Sequence, residues 1–144
     1  MSAFSTAWQF WALMAAVFAA ATAILAKVGV SDIPSDLATL IRTLVVVALL
    51  SCIVAVTKQW RPLTSLPGRS LVFLILSGLA TGASWLCYFR ALKLGDAARV
   101  APLDKLSVVL VAVFGALFLG ERLGPANWLG VALIAIGAWF VTWR

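Results

Sequence analysis

The sequence predicts an all-α membrane protein built from five transmembrane helices. Three observations carry this reading: an oily composition, five apolar runs long enough to cross a bilayer, and short breaks of turn-forming residues between them. Of the 144 residues, 64% are hydrophobic and only 11% charged, with a mean hydropathy of +1.10. A soluble domain carries about 25% charged residues. With so few, this chain could not cover a water-facing surface, which excludes a cytosolic globule, a disordered chain and a secreted disulfide mini-protein.

A helix needs about 20 apolar residues to cross roughly 30 Å of hydrocarbon. Five runs meet this: residues 8–27, 37–57, 70–92, 100–119 and 127–143. They are continuously apolar, whereas barrel strands would be about 10 residues long and alternating. The first run is expected to stay in the mature chain, because Met1 to Ala7 hold no Lys or Arg and the run is too long for a signal peptide's apolar region. Asp32, Pro34, Ser35 and Asp36 separate the first two helices, with Asp36 placed to cap the second. Trp60, Arg61, Pro62, Pro67 and Gly68 form the next break, and Gly95 and Asp96 the third. Gly120, Gly124 and Pro125 form the fourth, with Asn127 as a cap. Trp8, Trp11, Trp60, Trp128, Trp139 and Trp143 lie near the ends of the runs, where an aromatic belt is expected. The loops are short, so residues 1–144 read as a single transmembrane domain.

The net charge of +6 would suggest nucleic acid in a soluble protein. Here no basic run or nucleic-acid motif is present, and Lys and Arg at helix ends are expected to face lipid headgroups. With the N-terminus inside, the second and fourth loops hold Lys58, Arg61, Arg69 and Arg122. The opposite side then holds Lys27, Arg90, Lys93, Arg99 and Arg144. Four against five leaves the positive-inside rule almost no preference. Either other features choose one orientation, or the chain inserts both ways and pairs head to tail.

Cys52 and Cys87 stand in apolar runs outside any CxxC pattern and read as small buried hydrophobes. With no histidine, no metal or cofactor is expected. No nucleophile–base set points to an enzyme.

Polar residues within the spans carry the functional reading, because charges deep in a bilayer are costly. Arg42 lies in the second helix and either snorkels to the interface or serves function. Asp104 and Lys105 follow Pro102 in the fourth. Adjacent helical residues point about 100° apart, so the two need not pair, while Asp104 and Ser107 share a face. Both charges also read as interfacial or capping. Pro102 frees a backbone carbonyl for a ligand or kinks the helix. In the third helix, Trp85 and Tyr88 form either a cavity wall able to hold a cation or part of the core. Gly78 and Gly82 there, and Ala12, Ala15, Ala16, Ala19 and Ala23 in the first helix, read as helix-packing surfaces. Glu121 and Arg122 read as an interfacial pair.

The stretch from Tyr88 to Val141 resembles the EamA family of the drug/metabolite transporter superfamily. The carrying features are "YFRAL" at the end of the third helix, "A-x-x-A-P-L" (Ala98 to Leu103) leading into the fourth, and "LGE-x-L" (Leu119 to Leu123) followed by Trp128, Gly130 and Gly137. The resemblance implies a transporter of a small metabolite or drug-like solute, often an exporter. It also implies that the chain is one half of an inverted-repeat 5+5 architecture, since longer members hold two such repeats in opposite orientations. A single repeat most simply rebuilds this as an antiparallel homodimer in the bacterial inner membrane, working by alternating access. The substrate site is expected among Arg42, Trp85, Tyr88, Asp104, Lys105 and Ser107. The rival readings are a lipid-carrier flippase subunit and a non-transporting scaffold.

Overall fold

In the computed structural model, the described residues are 8–62 and 65–143, and all their regular elements are helical. They form α1 (Trp8–Gly29), α2 (Ser35–Val56), α3 (Gly68–Leu94), α4 (Ala97–Asp104), α5 (Leu106–Phe118) and α6 (Pro125–Thr142). Five stretches are long and apolar enough to span a membrane, the fourth being α4 and α5 taken together, Ala97–Phe118. The expected five spans are present, with ends displaced by up to three residues. Met1 to Ala7 and Arg144, which entered the signal-peptide and loop-charge readings, lie outside the described residues.

The helix ends show where turn chemistry overrode the sequence signals. Asp36 does not cap α2. That helix starts two residues earlier, at Ser35, with Pro34 as N-cap, and Asp36 sits in its first turn, where a carboxylate complements the helix dipole. Asn127 does not cap α6 either. Pro125 takes the first helical position after Gly124, which suits a residue without an N–H. The fourth span begins three residues before the expected Val100, so Arg99 lies inside α4 rather than in a loop. At the end of α2, the Lys58 amide donates to the Ala55 carbonyl and the Gln59 amide to that of Val54. This is a Schellman turn, with Lys58 at φ 54° where glycine is usual.

The chain divides into two compact units. One is Leu25–Lys93; the other takes the described parts of Met1–Ile24 and Leu94–Arg144. The core of the first is small and gathered at one end: Ala26, Val30, Ala38, Thr39, Phe89 and Leu92 are buried, from the last turns of α1 and α3 and the first of α2. Thr39 satisfies its hydroxyl by donating to the Ser35 carbonyl, 2.8 Å away. In the second unit α6 packs along α4 and α5, burying Ala138 and Gly115.

Most other apolar side chains are exposed, as befits helices whose solvent is lipid. Cys52 and Cys87 correct the expectation of burial: both are free and exposed. An apolar residue in a bilayer gains nothing from protein burial that lipid does not supply. The small-residue surfaces are likewise uncovered within the chain. Nothing lies within 4 Å of where a Cβ on Gly78 or Gly82 would stand, and Ala12, Ala15, Ala16 and Ala19 are exposed, Ala23 alone of that set being buried.

Candidate functional site

The six residues singled out in the sequence fall into two groups, one in each unit. Arg42, Trp85 and Tyr88 belong to the first. Arg42 sits seven residues into α2, about 10 Å from its start at 1.5 Å per residue. Its guanidinium carbon lies 3.9 Å from the centroid of the Trp85 ring and 5.6 Å from that of Phe89. Trp85 and Phe89 are four residues apart on α3, so they share the face that meets α2. Tyr88 stands within electrostatic reach of the same charge. Arg42, Trp85 and Tyr88 are half-buried, whereas Phe89 is buried. Phe89 was missed in the sequence because its spacing was read from Trp85 to Tyr88 rather than along the i, i+4 row.

Magnitudes show why this arrangement matters. An arginine at the bilayer centre costs about 2.5–3.5 kcal/mol on insertion scales. A cation–π contact contributes about 0.5–1 kcal/mol when exposed and about 2 kcal/mol when desolvated. The aromatic rings thus offset part of the cost of Arg42 without satisfying its N–H donors. Among the described residues no carboxylate lies within 4.0 Å of it.

The nearest ends of α2 and α3 use their charges on one another. Arg90 pairs with Asp36 at 3.3 Å, both side chains being largely exposed. Lys93 donates to the Ile33 carbonyl at 2.7 Å, and Lys27 to the Leu92 carbonyl at 2.7 Å. The Lys27 ammonium thus satisfies an orphan carbonyl in the last turn of α3, where a cation is favoured by the helix dipole. Three basic residues expected to face headgroups are therefore engaged within the protein.

Asp104, Lys105 and Ser107 belong to the other unit. Here Asp104 and Lys105 do pair, at 3.6 Å. The fourth span is interrupted at Lys105, which caps α4 and precedes α5. Pro102 lacks the N–H that would bond the Ala98 carbonyl, so the ladder is weakened just ahead of that break. Ser107 is exposed one turn further on.

Glu121 is exposed just beyond the C-terminal end of α5. Gly120 adopts φ +68° after α5, and the Glu121 amide donates back to the Gly115 carbonyl at 3.1 Å. The Glu121 carboxylate lies so near α5 that a Cβ on Gly115 would stand 2.6 Å from its Oε2. The signal in the sequence was the glycine six residues before the glutamate, together with the glycine immediately preceding it. No set of three or more His, Cys, Asp or Glu able to hold a metal occurs among the described residues.

Helical spans with exposed apolar faces and a few charges held within them define a multi-pass membrane protein. The pattern of the EamA-like transporter family matches residues 6–143, and the chain belongs to that family. It is a membrane transporter by that membership. An uncharacterized transporter of a Sinorhizobium species, in the cobO 3′ region, is 68% identical over 134 residues, covering 93% of this chain and 95% of that protein. An uncharacterized transporter of Pseudomonas aeruginosa is 33% identical over 85 residues, or 59% of this chain. An uncharacterized transporter of Vibrio cholerae is 29% identical over 91 residues, or 62% of this chain. The matched stretches make up only 28% and 30% of those two proteins, each about twice the length of this chain. No solved structure matches.

Proposed function

We propose that this protein exports a small metabolite or drug-like solute across the bacterial inner membrane, as an antiparallel homodimer working by alternating access. The uncovered small-residue faces carry this reading. Gly78, Gly82 and the alanines of α1 offer close approach to another helix, and among the described residues nothing lies within 4 Å of a Cβ built on either glycine. A second copy inserted the other way would cover such faces, and the even distribution of loop charge permits both orientations. The Pseudomonas and Vibrio relatives are each about twice the length of this chain, which is room for two such repeats in one polypeptide. Arg42, Trp85, Tyr88, Asp104, Lys105 and Ser107 are the residues assigned to substrate binding, with Asp104 as the proton-coupling carboxylate.

The experiment pairs topology with transport. Fusions of the C-terminus to a cytoplasmic fluorescent reporter and to a periplasmic phosphatase should both be active. Proton-gradient-driven solute uptake into inverted vesicles should be lost in Asp104→Asn. Activity of only one fusion ends the antiparallel dimer, and unchanged uptake in the variant ends the proton coupling.

A further inference from the structure

We infer that Arg42 and Trp85 form a half-built clamp for the carboxylate of an organic acid, and that this group is what the transporter recognises. The inference rests on the transport reading above and adds the substrate class. Arg42 lies well inside α2, and Trp85 lies nine residues before the end of α3, about 14 Å along the helix. Neither position is at a span's edge, where a lone arginine would simply reach headgroups. The guanidinium instead lies over the indole at 3.9 Å, with Phe89 at 5.6 Å. A guanidinium held over a ring through its charge still carries five N–H donors in a fixed planar fork, none of which the ring satisfies.

The acidic residue nearest along α2 is already used. Asp36 pairs with Arg90 at 3.3 Å, and among the described residues no carboxylate reaches Arg42. Asp104, the acid of the candidate set, pairs with Lys105. A planar fork of donors, fixed by an aromatic ring and lacking an acceptor, matches a carboxylate in shape and charge and binds it in two parallel hydrogen bonds. Arg42 being only half-buried keeps that edge accessible. The indole beside it offers a flat apolar neighbour for the organic part of the acid.

The test is calorimetric binding to the full chain in phosphatidylcholine nanodiscs, with benzoate and its neutral isostere benzamide as probes. Benzoate should bind, and benzamide at least tenfold more weakly. Arg42→Gln should lose that discrimination, Arg42→Lys should keep charge but weaken benzoate severalfold, and Trp85→Ala, which removes the ring that holds the guanidinium, should also weaken benzoate severalfold. Circular dichroism establishes that each variant is folded. Equal binding of the two probes, no binding of benzoate, or unchanged preference in Arg42→Gln overturns the inference. Repeating the titration in phosphatidylglycerol nanodiscs separates the sources of the oxyanion: if the anionic lipid abolishes benzoate binding, Arg42 is a headgroup site and the solute assignment falls. Because this is a binding measurement, carboxylate selectivity without transport would sink the export reading alone, and transport indifferent to Arg42→Gln would sink the clamp alone.

Discussion

The contact between Gly115 and Glu121 makes a sharp prediction, because two opposing effects meet there. Gly115→Ala places a Cβ 2.6 Å from Glu121 Oε2 and 3.4 Å from its Cδ. Ordinary contact begins near 3.4 Å, so the carboxylate must retreat by about 1 Å. It is the far end of a flexible side chain, and the backbone need not move. Against this, alanine in a helix interior is favoured over glycine by about 1 kcal/mol. With Glu121 present, displacing this exposed carboxylate takes back part of that gain, and the variant should stabilise by less than about 1 kcal/mol. In a Glu121→Ala background nothing opposes the alanine, and Gly115→Ala should stabilise by about 1 kcal/mol. The coupling between the positions is then about 0.5 kcal/mol, read by a double-mutant cycle. The assay is equilibrium unfolding in mixed micelles, followed by far-ultraviolet circular dichroism. If Gly115→Ala stabilises equally in both backgrounds, the carboxylate does not dock on α5 and the account of this turn is wrong.

Three further outcomes follow from the helix ends. Lys58→Gly should stabilise by about 1 kcal/mol in the same assay, since it removes the left-handed strain of a side chain at φ 54°; destabilisation would show that the Lys58 charge at the α2 C-terminus outweighs the strain. Arg90→Ala should cost at most about 1 kcal/mol, because its partner Asp36 and it are both largely exposed. Lys27→Ala should cost more, about 1.5–3 kcal/mol, because it strips a charged hydrogen bond from the carbonyl of the buried Leu92; the reverse order of the two losses would contradict this assignment.

How much was legible beforehand differs by the range of the physics involved. The spans were legible because crossing a bilayer demands a minimum run of apolar residues, and this demand acts on local sequence alone. The pause in the fourth span was foreshadowed by Pro102, whose missing N–H is a local property, although the break at Lys105 and its pairing with Asp104 were not. Arg42, Trp85 and Tyr88 were legible as costly or aromatic residues in oily surroundings. Their grouping was not, because 43 positions separate Arg42 from Trp85 in the chain, and periodicity within one helix says nothing of what a neighbouring helix brings to it.

By itself, then, the sequence determined the solvent, the number of crossings and the family, all of which depend on composition, run length and short motifs. The tertiary structure decided which charges are spent and which are left open. Lys27, Arg90 and Lys93 close the ends of α2 and α3, Glu121 folds back on Gly115, and Arg42 is laid on Trp85. The physical reason is that a charge is settled by its nearest partners in space, at distances of a few ångströms, and those partners are chosen by the packing of segments far apart in the chain.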